Sequence, residues 1–159
     1  MFNRTKIFLI LAVVILLSIT MQSRADEVKF GARAGLYSDG GTNAFIGGEV
    51  LVPAFGDRWY FNPNVEYVFV NAAKLWTFNF DFHYDFRTDS PFYLWVGAGP
   101  SIIYFNPDRP VRASDTDIGV NLFGGIGFKL SHSDVIPYIQ PKVILSDNSQ
   151  FSLAFGLRF

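Results

Sequence analysis

The stretch "WTFNFDFHYDF", residues 76–86, alternates aromatic and polar side chains without interruption. Every second position is aromatic, and these positions are Trp76, Phe78, Phe80, Phe82, Tyr84 and Phe86. The positions between them are polar, and they include His83 between Asp81 and Asp85. Because successive side chains of a strand point to opposite faces of a sheet, the stretch predicts a β-strand with one aromatic face and one polar face.

The same alternation recurs along the chain, separated by short turn sequences. It predicts eight strands at residues 28–37, 43–52, 59–70, 74–86, 92–105, 116–129, 135–145 and 151–159. The strand at 92–105 is the least regular, because both of its faces are largely apolar. Each strand is about long enough to cross a bilayer obliquely, which takes ~9–11 residues. Connections are short, the longest being 106–115, so neighbouring strands are expected to pair antiparallel.

The aromatic faces are expected to lie outside a closed barrel. An eight-stranded barrel is only just wide enough for its own side chains, and the aromatics of residues 76–86 would overfill it. In water such an exterior would aggregate, whereas in lipid a closed barrel satisfies every backbone polar group. The predicted fold class is therefore an all-β, eight-stranded, antiparallel up-and-down transmembrane β-barrel. Trp59, Trp76, Tyr84 and Phe86 near strand ends are the predicted interfacial aromatics.

The first residues have the layout of a secretory signal peptide. Arg4 and Lys6 precede an apolar run at 7–17, and Ser23-Arg24-Ala25 provides a small-x-small cleavage pattern. The run is shorter than the ~20 residues of a spanning helix. We therefore expect a cleaved signal peptide at 1–25 and a single barrel domain at 26–159. The sequence contains no cysteine and has a formal net charge of −1, which argues against thiolate metal sites and a nucleic-acid partner.

The inward faces are predicted to carry a balanced set of charges. The five basic members are Lys29, Arg33, Lys129, Lys142 and Arg158, and the five acidic members are Glu49, Glu66, Asp81, Asp85 and Asp117. His83 is expected to be satisfied by its neighbouring carboxylates. Paired charges predict a plugged lumen, because a selective pore more often carries a ring of one sign. A narrow pore for ions or small solutes is the alternative.

A catalytic site is not expected, although one stretch has suitable residue types. Ser131, His132, Ser133 and Asp134 could support acyl transfer in a lipid-modifying enzyme, but they lie in a predicted turn where such residues are common. No cofactor or metal site is predicted, because His83 has no second histidine nearby. Arg109 and Arg112 give the longest loop positive charge that could contact lipopolysaccharide phosphates. A soluble, secreted ligand-binding barrel is a further alternative.

The C-terminal half, "GVNLFGGIGFKLSHSDVIPYIQPKVIL" followed by "FSLAFGLRF", resembles small bacterial outer-membrane β-barrel proteins, the group that includes the membrane domain of outer-membrane protein A. The resemblance implies a monomeric barrel in the outer membrane, surrounded by lipid and lipopolysaccharide. It also implies that the barrel-assembly machinery recognises the last strand, whose alternating residues are Phe151, Leu153, Phe155, Leu157 and Phe159. Predicted outer loops are short and no peptidoglycan-binding domain follows, so adhesion and cell-wall anchoring are not expected. The predicted function is a non-enzymatic outer-membrane barrel with a structural or interaction role.

Overall fold

The computed structural model describes residues 28–38, 40–86, 88, 90–107, 114–130 and 132–159. Its strands are β1 (Lys29–Ser38), β2 (Thr42–Pro53), β3 (Trp59–Val68), β4 (Ala73–Phe86), β5 (Phe92–Pro107), β6 (Asp115–Phe128), β7 (Ile136–Leu145) and β8 (Gln150–Arg158). The strands pair in chain order, and β8 pairs antiparallel with β1, so the sheet closes into a barrel. The predicted eight-stranded antiparallel barrel is confirmed. The predicted signal peptide lies outside the described residues.

Both ends of the described chain lie at one end of the barrel, which we call the terminal end. The backbone N–H groups of Phe30 and Phe159 each donate to the carbonyl oxygen of the other, at 2.9 and 2.8 Å. The opposite end, called the far end, carries the β1–β2, β3–β4, β5–β6 and β7–β8 connections. No helix within the described part of the chain is long and apolar enough to cross a membrane.

Most strand boundaries lie within one residue of the predicted ones, and two differ by two residues for local reasons. β3 ends at Val68 rather than residue 70, because the backbone turns there: the Val70 N–H donates to the Val68 carbonyl at 3.1 Å, and Ala72 has a φ of 56°. β5 extends to Pro107, because Asn106 pairs with Lys74 of β4. The predicted loop at 106–115 is therefore shortened by strand pairing at both of its ends.

The aromatic face of β4 lies outside the barrel. Trp76, Phe78 and Phe86 are 38%, 42% and 44% exposed, and Phe80, Phe82 and Tyr84 are partly exposed. The alternate residues Thr77, Asn79, Asp81, His83 and Asp85 are all buried. Exposed and buried side chains therefore alternate along β4 with the period of two that its sequence predicts. Contact between the outer face and lipid remains a prediction.

Several large aromatics face inward, contrary to the expectation that the aromatic faces lie outside the barrel. Phe45, Trp95, Phe123 and Tyr138 are buried, and each lies directly across a strand pair from a glycine. The pairs are Phe45 with Gly35, Trp95 with Gly125, Phe123 with Gly97 and Tyr138 with Gly156. Each ring occupies the space that the missing Cβ leaves, and this is how a narrow barrel accommodates interior aromatics.

The buried aromatics belong to two apolar clusters inside the barrel. The far-end cluster comprises Tyr37, Phe45, Val68, Leu75, Ile103, Ile144 and Ala154. The terminal-end cluster comprises Trp95, Phe123 and Tyr138, with Tyr93 packed against it. Polar side chains fill the lumen between them, so the interior is a packed core as well as a charged one.

Candidate functional site: the charged lumen

Five charged side chains form a chain of alternating sign inside the barrel, in the order Arg158, Glu49, Arg33, Glu66 and Lys142. Arg158 Nε lies 2.8 Å from Glu49 Oε1, and Arg33 Nη1 lies 3.6 Å from Glu49 Oε2. Arg33 Nη2 lies 3.0 Å from Glu66 Oε1, and Lys142 Nζ lies 2.9 Å from Glu66 Oε2. None of the five is more than 4% exposed. We call this arrangement the ion chain.

The ion chain crosses the lumen rather than following its wall. Its members come, in order, from β8, β2, β1, β3 and β7. The Lys142–Glu66 pair joins β7 to β3, which lie four strands apart in either direction around the barrel. A contact between such strands can form only through the interior. The side chains that make it therefore occupy the space through which a solute would have to pass.

Neutral side chains complete the hydrogen bonding of both glutamates. Glu66 accepts a hydrogen bond from the Tyr37 hydroxyl and another from Thr77 Oγ1 at 3.0 Å. Glu49 accepts one from Asn62 Nδ2 at 3.0 Å. Buried carboxylates are tolerated when cations and hydrogen-bond donors surround them. The ion chain is consequently held in one geometry by its neighbours.

Asp81 lies beside the ion chain in a layer of asparagines. Its two carboxylate oxygens accept from Asn64 Nδ2 at 2.9 Å and from Asn121 Nδ2 at 2.8 Å. Asn79 Nδ2 donates to Asn64 Oδ1 at 2.9 Å, and Asn121 Nδ2 also donates to Asn79 Oδ1 at 2.8 Å. Asn64 Nδ2 lies 3.3 Å from Asn62 Oδ1, which links this layer to the Asn62–Glu49 contact.

A second polar group lies near the terminal end, around His83. His83 Nε2 lies 3.2 Å from Asp85 Oδ1, and the Tyr93 hydroxyl donates to the other oxygen of Asp85. The ring of Tyr60 stacks on His83, with 5.6 Å between their centroids. Within the described residues, no group of three or more histidine, aspartate or glutamate side chains could hold a metal ion.

Arg158 connects the ion chain to the terminal-end aromatics. Its guanidinium carbon lies 4.5 Å from the centroid of Trp95 and 4.6 Å from that of Tyr138. Arginine is well suited to this position because its planar cation can stack on rings while it pairs with a carboxylate. Trp95 Nε1 in turn donates to Gln140 Oε1 at 2.9 Å.

Three of the predicted lumen charges are not buried in the structure. Lys129 is exposed one residue beyond the end of β6, where strand alternation no longer fixes the direction of a side chain. Lys29, the first residue of β1, is partly exposed. Asp117 is also partly exposed, and its Oδ1 accepts from the backbone N–H of Ile118 at 2.8 Å. The buried charges among the described residues are therefore three basic against four acidic, and the balance of five against five stays a prediction. The charged residues described as buried are Arg33, Lys142, Arg158, Glu49, Glu66, Asp81 and Asp85.

The residues considered for catalysis are turn residues in the structure. His132, Ser133 and Asp134 are exposed between β6 and β7, and His132 has a φ of 71°. Ser133 Oγ accepts a hydrogen bond from the backbone N–H of Val135 at 3.1 Å, which is ordinary turn chemistry. Ser131, Arg109 and Arg112 lie outside the described residues.

Sequence reasoning missed the interior tyrosines and tryptophan that hold these charges. Tyr37, Tyr93, Trp95 and Tyr138 occupy inward positions, and three of them lie opposite or beside glycines of the next strand. The available signal was the run Gly124-Gly125 with Gly127 on β6, since interior glycines mark places where another group approaches closely. Only a known register, however, assigns each glycine to its ring.

The fold defines a class: a closed, eight-stranded antiparallel barrel of the outer-membrane type. The N-terminal β-barrel domain of Pseudomonas aeruginosa OprF is similar to it, with a TM-score of 0.70 and 13% identity over 83% of this chain and 95% of that one. Neisserial surface protein A has a TM-score of 0.63 and 17% identity over 82% and 94%. Ail, the attachment invasion locus protein of Yersinia pestis, has a TM-score of 0.52 and 14% identity over 83% and 96%.

These comparisons confirm the predicted resemblance to small outer-membrane β-barrels. At such low identities the likeness shows the fold alone. No protein-family model matches the sequence, and no curated protein matches it either.

Proposed function

We propose that the protein is a non-enzymatic outer-membrane β-barrel whose lumen is closed, and that its role is structural or one of interaction. The observation that carries the proposal is the ion chain, which crosses the interior of a barrel whose outer face is apolar. In this proposal residues 1–25 direct export and are removed, and residues 26–159 form the mature protein.

The outer surface supports a membrane location. Strong exposure of large apolar side chains occurs on every strand, as in Phe30 at 56%, Ile46 at 55%, Ile118 at 73% and Phe155 at 52%. Monomeric soluble proteins rarely expose apolar surface on this scale. Lipid, and lipopolysaccharide on the outer side, are therefore the proposed surroundings of a monomeric barrel. We also propose that the barrel is oriented with its terminal end facing the periplasm.

The interior supports a plug over the alternative of a narrow pore. Cations and carboxylates alternate in the ion chain, and each glutamate contacts two cations. Opening the lumen would separate buried charges, and an unpaired buried charge costs several kcal/mol. Ion channels more often use rings of one sign that attract one kind of ion.

The last strand supports a role for β8 in assembly. The side chains of Phe151, Phe155, Leu157 and Phe159 are all exposed on its outer face, and Leu153 is partly exposed. We propose that the barrel-assembly machinery binds this row of side chains before β8 pairs with β1. After closure the same row would face lipid.

Planar-bilayer recording of the refolded protein tests the closed lumen. We expect no stable openings, whereas a porin inserted in the same bilayer gives steps and shows that the assay is sensitive. Reproducible unitary openings of the purified protein would contradict the proposal and favour the narrow pore. Gel mobility with and without heating must first show that the barrel has folded.

Mass spectrometry of lipid A tests the lipid-modifying alternative. We expect the same lipid A species from cells with and without the protein, because the described serine and histidine of the β6–β7 turn are exposed and not assembled as a triad. A new deacylated or acylated species that depends on the protein would contradict the non-enzymatic proposal.

A further inference from the structure

The lumen widens at the far end into a cavity of about 750 Å³, which we call the vestibule. This size falls within the roughly 300–1,000 Å³ of small-molecule sites. Strand ends from β1, β2, β4, β5, β6 and β8 line it, together with residues of the β1–β2, β3–β4 and β7–β8 connections. The vestibule is thus built largely on the rigid wall of the barrel.

The floor of the vestibule is apolar. Leu75 and Ile103 of the far-end cluster line it, and so do Val70 and Phe105, which pack against that cluster. The cluster separates the vestibule from the ion chain below it. A ligand entering from the far end would therefore meet hydrocarbon and an aromatic ring inside the vestibule.

The rim of the vestibule is acidic. Asp115, Asp117 and Asp147 line it, and the described lining residues include no lysine or arginine. Backbone N–H groups orient two of the carboxylates: Thr116 donates to Asp115 Oδ1, and Ile118 donates to Asp117 Oδ1, both at 2.8 Å. Residues 39 and 108–113 lie outside the described part of the chain; their sequence contains two aspartates and two arginines.

A buried acceptor lines the same cavity without a partner. Gln150 is 7% exposed, and its Oε1 makes no hydrogen bond with any described residue. Buried polar atoms usually have a partner, so an unmatched acceptor beside a cavity indicates a place for a donor. This observation is independent of the aspartates and favours the same kind of ligand. An unpartnered acceptor needs a donor, and ammonium and guanidinium groups are donors only.

We propose that the vestibule binds a small amphipathic cation. Its ammonium or guanidinium group lies among Asp115, Asp117 and Asp147 and donates toward Gln150 Oε1, while its apolar body rests on Phe105 and the neighbouring floor. The negative charge of the aspartates favours a cationic ligand. The apolar floor disfavours amines that have no apolar body to place on it. Inorganic cations lack the apolar body and bind weakly.

Calorimetric titration of the folded protein in zwitterionic nanodiscs tests this site, with 1-naphthylmethylammonium as the probe. 1-Naphthylacetate and 1-naphthylmethanol carry the same ring with the opposite charge and with none, and ethylammonium carries the charge without the ring. We expect one-to-one binding of the probe, at least about tenfold tighter than any control compound, and weaker binding as salt is raised.

Two double variants separate the rim from the overall charge of the protein. Asp117→Asn/Asp147→Asn is expected to weaken probe binding about tenfold, as the loss of two partly solvated charge contacts implies. Asp57→Asn/Asp134→Asn removes the same charge at the terminal end and is expected to leave the affinity unchanged. Gln150→Leu is expected to weaken binding of the probe severalfold. Gel mobility checks that each variant is folded.

The results can overturn the proposal in three ways. If 1-naphthylmethanol binds as tightly as the ammonium probe, the signal reports partition of the ring into lipid rather than a cation site. If the two double variants weaken the probe equally, only the overall charge of the barrel matters. Failure of the wild-type protein to bind the probe also overturns it.

Discussion

Glu66 shows how much a single buried residue contributes to the lumen. Its two oxygens contact Arg33 and Lys142 and also accept hydrogen bonds from Tyr37 and Thr77. Glu66→Gln would keep the shape of the side chain but leave two buried cations short of a counter-charge. We expect it to lower the free energy of unfolding by about 3–5 kcal/mol, the usual cost of breaking a buried pair. Urea unfolding in lipid vesicles measures this change.

Asp134→Asn is the control for that substitution, because Asp134 is exposed in the β6–β7 turn. It removes the same charge and is expected to change stability by no more than about 0.5 kcal/mol. A loss below about 1 kcal/mol for Glu66→Gln would mean that water reaches the ion chain and screens it.

The sequence could predict which of these residues face inward but not which of them meet. Alternation alone assigns Arg33, Glu49 and Glu66 to inner faces, because a strand has only two sides. Contacts such as Lys142 with Glu66 join strands that are not neighbours. They depend on the tilt and stagger of the closed barrel, which single-strand patterns do not contain.

At the scale of strand pairs, two adjacent glycines of β6 make it possible to distinguish two effects of a glycine-to-alanine substitution. One is the crowding of a neighbouring side chain, and the other is the change in backbone freedom. A Cβ at Gly125 would lie 2.2 Å from Trp95 Cε2, whereas a Cβ at the adjacent Gly124 would meet its nearest atom, the Trp95 carbonyl oxygen, at 3.5 Å. We expect Gly125→Ala to destabilise the barrel by about 1–3 kcal/mol through overpacking. Gly124→Ala should change stability much less. Unfolding titrations of both variants test the pairing, and equal effects would contradict it.

β8 allows a separate prediction about assembly. Phe159 pairs with Phe30 through backbone hydrogen bonds, and its side chain is 59% exposed, so Phe159→Ala should leave the folded barrel nearly as stable as the wild type. If the assembly machinery binds the outer row of β8, we expect a severalfold lower yield of folded protein in cells, with normal refolding in vitro. Immunoblots of membrane fractions measure the yield. Phe86→Ala, an equally aromatic change at the end of β4, is the control and should keep the wild-type yield.

β5 explains why strand faces were harder to predict than strand positions. Both faces of residues 92–105 are largely apolar in sequence, and the structure turns Tyr93, Trp95 and Ile103 inward. The small residues that admit the two aromatic rings, Gly125 and Gly127, lie on β6. The direction of this strand therefore depends on a partner that is about thirty positions away in the chain.

At the scale of the whole molecule, the surrounding solvent decides the effect of an outward charge. Phe80 lies at the middle of β4, and Phe86 is its last residue. For a barrel in a bilayer, we expect Phe80→Arg to cost about 2–4 kcal/mol and Phe86→Arg no more than about 1 kcal/mol. Unfolding in vesicles gives both values. For a soluble barrel the two costs would be similar, and that result would contradict the membrane proposal.

The ion chain also has a consequence for the order in which the barrel can form. Arg158 and Glu49 are separated by 109 positions, and Lys142 and Glu66 by 76, so neither contact exists in a nascent hairpin. In a chain whose strands have all paired except β8, Glu49 lacks its ion pair with the Arg158 guanidinium. Entry of β8 supplies that cation at the same moment as it seals the edge of the sheet. Pairing of Glu49 with Arg158 and closure of the sheet by β8 are therefore a single event. Intermediates in which β8 is not yet paired lack this stabilising contact.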